Sequence, residues 1–231
     1  FIGGGSCNQA IASHSTVVGG TLNTASGNFS SILGGCKNIN SGYYSSIVGG
    51  VNNSLSGGYG YSTIIGGLGN TISGYTGHVI AGGLYNKIDT VSGQENNHFI
   101  GSGQSNLICT PINENGSSIV GGFKNTASAA CTFIGGGSRN QVTAANSSVV
   151  GGILNTASGT CSFIGGGCNN KVTTDLASII GGGLNNIIEG SGLAFLGGGQ
   201  SNTISGYYNN VIVGGGGNKN SGANSFIGGG D

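Results

Sequence analysis

The chain has 231 residues; 53 are Gly, one is Pro, none is Trp or Met, and six basic and six acidic side chains sum to zero charge. Charged residues at 5% against the usual ~25%, with an apolar share of 36%, lie outside the range of ordinary soluble enzymes. The lone Pro111 and the lack of Gly at every third position exclude collagen, the low charge and abundant Ile and Val argue against disorder, and the scattered basic residues leave no footprint for nucleic acid or an anionic membrane.

From the amino terminus onward one phrase recurs fifteen times, two apolar residues followed by a Gly run. It starts at Phe1-Ile2 and Val17-Val18, passes Ile119-Val120 and Val149-Val150, and ends at Ile212-Val213 and Phe226-Ile227. Three places after the last Gly of each run stands Asn: Asn8, Asn23, Asn38, Asn53, Asn70, Asn86, Asn106, Asn125, Asn140, Asn155, Asn170, Asn186, Asn202 and Asn220. Two residues further on, the side chain is Ala, Val, Leu or Ile except at Asn40 and Gly222, and a Ser-Gly pair often follows. Successive last glycines are 15 residues apart in six of fourteen cases and otherwise 13 to 20 apart. Self-similarity at such a period marks stacked supersecondary units.

Fifteen residues are too few for two helices and a turn, and Gly costs about 1 kcal/mol per residue inside a helix. Each repeat is therefore predicted to form a short strand over Ser-Phe/Ile-Ile/Val, a Gly corner, a second strand over Asn-Thr-Ala-Ser, and a second corner that advances the chain one rung. The whole of 1–231 reads as one continuous all-β domain, a parallel β-solenoid of the two-layer β-roll type with about fifteen rungs. At a spacing of ~4.8 Å the rod is expected to be roughly 70 Å long. No apolar run reaches the ~18 residues of a membrane span, so no membrane insertion is expected of this segment. The chain opens on Phe1 without a signal peptide and reads as a mature form or an excerpt of a longer fibre.

Gly at the first corner supplies positive φ, so Gly151→Ala is expected to strain it. The Asn column has two structural readings, a left-handed corner residue or a ladder of side chains hydrogen-bonded along the axis. In the apolar pair, adjacent residues point to opposite faces, so one fills the roll and the other faces outward. An apolar residue facing outward on every rung exceeds what a soluble monomer exposes, and the stripe is expected to be covered by other copies of the chain, most simply three around one axis.

Aromatic side chains after the Ser-Gly corner are the candidate ligand contacts. Phe29, Tyr44 and Tyr59 are expected to align on successive rungs, with Tyr43, Tyr61, Tyr75, Tyr207 and Tyr208 in similar corners. Such a row either stacks on sugar rings or serves as an aromatic ladder that stabilises the edge.

Conventional catalytic signals are missing, and neither a catalytic centre, a cofactor nor a metal site is expected. Of the acidic residues Asp89, Glu95, Glu114, Asp175, Glu189 and Asp231, only Asp89, Glu95 and Glu114 lie on neighbouring long loops that could converge as a polysaccharide-cleaving carboxylate pair. His14, His78 and His98 show no metal-ligand spacing. Cys131 and Cys161 share a column with Ser147 read on the rung between, two rungs apart and beyond disulfide reach; the six cysteines are read as thiols filling the roll, or else as interchain bridges. Asn28, Asn52, Asn115 and Asn146 open N-x-Ser/Thr sequons.

The run Ser147-Ser148-Val149-Val150-Gly151-Gly152, with Asn155-Thr156-Ala157-Ser158-Gly159 and then Cys161-Ser162-Phe163-Ile164-Gly165, resembles the head repeats of YadA-like trimeric autotransporter adhesins. Similar repeats occur in phage and viral fibres. The resemblance covers essentially the whole chain as a repeat style, with heavier Gly runs and a more rigid Asn column here. It implies a left-handed parallel β-roll trimer at a cell or virion surface, an extracellular, non-enzymatic fibre or adhesin that meets a host-surface glycan or protein receptor. The alternatives are a filament of solenoids stacked end to end, suggested by a chain that starts and stops within the same Phe-Ile-Gly-Gly-Gly phrase, and the polysaccharide-cleaving spike.

Overall fold

The computed structural model describes the chain apart from Tyr59, residues 91–96 and 112–115, Asp175, Ser191 and Asp231. Every regular element among the described residues is a short strand, and every pairing is parallel to the strand one repeat along, as in Gln9↔Thr24 and Thr16↔Ser31. The chain is a parallel β-solenoid. It falls into two compact units, Phe1–Gly122 and Phe123–Asp231. In the first, strands Thr16–Val17 through Ser118–Ile119 make one sheet and Gln9–Ala10 through Leu107–Ile108 the other. In the second, Phe133–Ile134 through Phe226–Ile227 make the former type of sheet, and Thr126–Ala127 through Lys219–Asn220 the latter. Each predicted rung contributes one strand to each sheet except the first phrase, where Ile2 makes only an isolated bridge to Val17, and the last, which contributes Phe226–Ile227 alone.

The interior is filled by four columns of side chains. Strand one contributes Val17, Ile32, Ile47 and their equivalents through Ile212, all without solvent exposure. Opposite them strand two contributes Ala25, Leu55, Ile72, Val142 and Ile188, and each fully buried Ile or Leu contributes about 2 kcal/mol of transfer free energy. The other two columns are polar. One is the Asn ladder, and the other is Ser30, Ser45, Ser117, Ser147 and Ser162, with His78 and His98 in place of Ser on two adjacent rungs.

The apolar pairs do not share one register. In Val17-Val18 the first residue is buried and the second is half exposed; in Phe163-Ile164 the first faces outward and the second is buried. Cα pairing shows why: Ser148 aligns with Phe163 and Val149 with Ile164, so Phe occupies the position of Ser and the Gly after Ile164 occupies the position of Val150. Two outward positions thus flank each inward one. Where the later position carries Val, Leu or Ile, as at Val18, Leu33, Val48, Ile65, Val120 and Val150, the earlier one is Ser or Thr. Where the earlier carries Phe or Ile, as at Phe99, Phe133, Phe163, Ile179 and Phe195, the later one is Gly. That Gly is required within the chain: a methyl on Gly135 would overlap the Val150 carbonyl oxygen and lie 3.5 Å from the Phe133 ring.

The Gly runs contain two further roles. The last corner Gly of each rung, such as Gly20, Gly152 and Gly183, has φ between 88 and 97° in those three, and a Cβ would overlap the carbonyl oxygen of the next rung's Gly. The Gly before it is different. At Gly19, Gly34, Gly49, Gly136, Gly151 and Gly166 a Cβ would meet nothing within 4 Å, and Ser102 stands at this position in one rung. The expectation that Gly151→Ala strains the corner is therefore corrected; the strain belongs to Gly152. A free Gly costs folding about 0.4–1 kcal/mol relative to Ala through chain entropy, so this column is not explained by the protomer alone.

Of the two readings of the Asn column, the ladder is the one realised. The side-chain oxygen of Asn140 accepts from the Asn155 backbone N–H at 3.0 Å, while Asn155 Nδ2 donates to the carbonyls of Gly151 and Gly167, both at 3.0 Å. The left-handed residue is the one before the Asn, as at Leu22 (φ 59°) and Leu154 (φ 59°). Asn220 is a correction: Asn218 takes the ladder position, receiving Asn202 Oδ1 on its N–H at 3.0 Å. The four-Gly run 214–217 shifts the apparent register by two residues, because Gly216 and Gly217 stand where other rungs carry side chains. Asn220 instead lies in the interior of strand two, paired with Ile204, as Asn40 does between Ala25 and Leu55. Both donate from Nδ2 to two carbonyls, Ser31 and Ser45 for Asn40, Val211 and Ser225 for Asn220, and both accept from the Ser hydroxyl.

Asn155→Asp replaces the two-proton donor by a carboxylate facing two carbonyl oxygens. A loss of about 1–3 kcal/mol in unfolding free energy by urea titration is expected at neutral pH; an unchanged midpoint would contradict the ladder's energetic role.

Candidate functional site

The aromatic row exists, with different members. His14, Phe29, Tyr44 and Tyr61 occupy the left-handed position of the second corner on successive rungs, with φ of 57, 58, 48 and 60°. Their rings stack at 4.6, 4.6 and 5.5 Å with interplanar angles of 5 to 10°. The fourth member is Tyr61, not Tyr59, because this repeat is two residues longer; Tyr59 itself lies outside the described residues. His14 was missed because an imidazole does not look like part of an aromatic series. Within the row each ring covers its neighbour's face, so the interior rings offer edges rather than faces for stacking. Phe29 and Tyr44 are 44% and 49% exposed, whereas Tyr61 at the end of the row is 68% exposed.

Tyr43 receives a long hydrogen bond of 3.4 Å from Asn28 Nδ2 on its hydroxyl, Tyr75 is half-buried, and Tyr207 and Tyr208 are exposed in a corner of the second unit. Tyr85, not foreseen as a surface aromatic, lies in the first corner with φ 55°, against Gly69 of the preceding rung. Tyr207 borders an open recess with Thr173, Leu176, Glu189 and Ser205.

The carboxylates form no catalytic pair among the described residues. Asp89 is exposed, bound to Lys87 Nζ at 2.6 Å and to the Ser73 hydroxyl at 2.6 Å, and those hydrogen bonds hold its carboxyl below the usual carboxylate range. Glu189 is exposed beside the recess. Glu95, Glu114, Asp175 and Asp231, and the sequon residue Asn115, lie outside the described residues. Asn52 and Asn146 are exposed and Asn28 is half-buried.

His78 and His98 are the unusual polar groups of the interior. Burial pushes both from the ordinary 6.5 down to about 4, with the neighbouring His98 also lowering His78. The rings stack at 5.1 Å. The His98 backbone N–H donates to His78 Nδ1 at 3.4 Å and the Ser117 N–H to His98 Nδ1 at 3.1 Å, which places the proton on Nε2. Each Nε2 faces a Thr hydroxyl, Thr90 at 3.3 Å and Thr110 at 3.0 Å.

The cysteines do not fill the roll. All six are free thiols; Cys7, Cys131 and Cys161 are exposed and Cys36, Cys109 and Cys168 are partly exposed. They stand in outward columns because the interior columns are already taken by Ile or Val, Asn, Ala and Ser. The residue between Cys131 and Cys161 in their column is Asn146, since all three share φ of 52 to 58°, while Ser147 is the buried residue next to it.

The outward face of the strand-one sheet carries an apolar series in each unit. Val18, Leu33, Val48, Ile65, Phe99 and Val120 in the first unit, and Phe133, Val150, Phe163, Ile179, Phe195 and Val213 in the second, are each about 40–50% exposed. None of the residues in its two outward positions, nor in the open Gly column beside them, is charged. Among the described residues no helix is long and apolar enough to cross a membrane. Searches against models of known protein families and against curated proteins returned no match for this chain.

Proposed function

We propose that the chain is a non-catalytic structural module of an extracellular fibre or adhesin, which associates with copies of itself through the outward face of its strand-one sheet and presents its corner residues to a host-surface glycan or protein receptor. The closed trimer is the preferred arrangement, since three equivalent stripes meet around one axis without leaving an open edge. What supports this reading is the one large apolar residue that each unit holds on almost every rung at an outward position, with Ser, Thr or Gly at the other. A rung-by-rung apolar stripe is hydrated at a cost of about 25 cal/mol per Å², which association removes. Multiple copies would then multiply weak receptor contacts.

The test is a paired charge insertion, Val150→Asp with Phe163→Asp, both on the outward face. Mass photometry of the full chain is expected to show the assembly reduced to protomers while circular dichroism retains the strand signal. An assembly of unchanged mass would contradict the reading, and release of reducing ends from polysaccharides, abolished by Glu95→Gln or Glu114→Gln, would replace it with the enzyme.

A further inference from the structure

We infer that another copy of this chain packs at backbone distance along the column of open glycines, which includes Gly19, Gly34 and Gly49 in the first unit and Gly136, Gly151 and Gly166 in the second. The inference rests on the self-association proposed above and specifies where the copies touch most closely.

The Gly runs contain up to three kinds of Gly, and only one of them lacks an internal reason. A Cβ on the last corner Gly overlaps the next rung's carbonyl oxygen, and a Cβ on the Gly that follows Phe-Ile overlaps the same kind of group. At these open positions a Cβ meets no heavy atom within 4 Å, and no left-handed φ demands Gly there. Side chains are absent from a place where the protomer has room for them. The one departure, Ser102, is small and shows that the fold itself accepts a side chain.

The open column follows directly in the chain on the apolar stripe, so the surface pairs a ridge of half-exposed Val, Leu, Ile and Phe with a groove of bare backbone. The exchange between Ser-Ile-Val and Phe-Ile-Gly rungs moves the large residue from one side of the buried position to the other without removing it. A large side chain left about 40–50% exposed offers on the order of 60–80 Å² per rung, so the rungs of one unit supply about half of the ~800 Å² per partner of a standard stable interface before the bare Gly backbone is counted. The face carries no charge, so it has no means of selecting a charged partner. A second copy supplies the matching uncharged ridge and groove in the same repeat period, which an unrelated surface does not.

The experiment uses the full chain with Gly151→Leu and Gly166→Leu together, and separately Ser102→Leu, at a position that already carries a side chain. Sedimentation velocity across a concentration series is expected to show self-association weakened at least 100-fold in the double variant and at least 10-fold in Ser102→Leu, with both variants keeping the parent's circular dichroism spectrum. If the parent assembles and both proteins assemble with the same affinity, the Gly column is not the contact and this inference falls while the proposed function stands. If the parent itself does not self-associate, the proposed function falls and this inference with it. Should the double variant fail to fold, Ser102→Leu alone decides.

Discussion

In the dissociated protomer, Gly152→Ala is expected to destabilise the fold by about 3 kcal/mol or more, while Gly151→Ala, one residue earlier in the same Gly pair, is expected to leave it unchanged or raise its stability by about 0.4–1 kcal/mol. Gly152 has φ 88°, and a methyl there would overlap the Gly167 carbonyl oxygen while approaching Asn155 Nδ2 to 2.6 Å and Gly167 N to 2.9 Å. Relief would require the rungs to separate. Their spacing is held on both sides by Ile153 N–H to Gly167 O at 2.9 Å and by the Asn155 bond to the same oxygen at 3.0 Å. At Gly151 the added methyl meets no heavy atom of its own protomer within 4 Å and narrows the unfolded ensemble. Urea titrations of the two variants decide the matter; equal midpoints would contradict the assignment of distinct roles within the pair.

The second large effect is on acid stability. His78 and His98 are neutral in the fold and titrate near 4, against 6.5 in the unfolded chain. Between those values the unfolded state binds more protons, so the folded state loses ground as pH falls. The stability these residues permit is therefore complete above about pH 6.5 and declines progressively down to about pH 4, by roughly 3 kcal/mol for each His at most. Protonation at Nδ1 would also turn an acceptor of a backbone N–H into a second donor, breaking the bonds from His98 N and Ser117 N. His78→Ser with His98→Ser, which restores the residue found at Ser62 and Ser147, is expected to flatten the dependence of the urea midpoint on pH between 6.5 and 4.5. A parent protein whose midpoint is level over that interval would overturn the placement of the two imidazoles.

Much of the fold was legible because its signals are periodic. A fixed Asn three residues after the Gly run, and an apolar residue two beyond it, can be satisfied together only by stacked rungs, and the pairings Thr156↔Lys171 and Ala157↔Val172 have that register. The phase of the apolar pair was not legible. Both members of Val149-Val150 and of Phe163-Ile164 are hydrophobic, so composition is silent about which enters the roll; only the alignment of Phe163 with Ser148 separates them. The roles within Gly-Gly were hidden for the same reason, since two identical residues differ only in what surrounds the missing side chain. The four-Gly run before Asn218 misled by length alone.

The candidate surface was legible in kind and partly wrong in membership. The rule that corner aromatics stack rung on rung identified Phe29 and Tyr44, but a repeat two residues longer than its neighbours moved the next member from Tyr59 to Tyr61. Cysteines were expected inside because thiols are usually buried, yet a column already occupied by Ile or by hydrogen-bonded Asn has no vacancy, and the thiols stand in outward columns. The His pair carried no sequence signal beyond replacing Ser on two adjacent rungs.

The central claim is that the uncharged outward face of the strand-one sheet is covered by copies of the same chain. Sedimentation equilibrium of the full chain at micromolar concentration measures this directly. The account predicts one species at about three times the 22.4 kDa protomer mass, and a stable monomer at that concentration, with Val150 and Phe163 open to solvent, would contradict it.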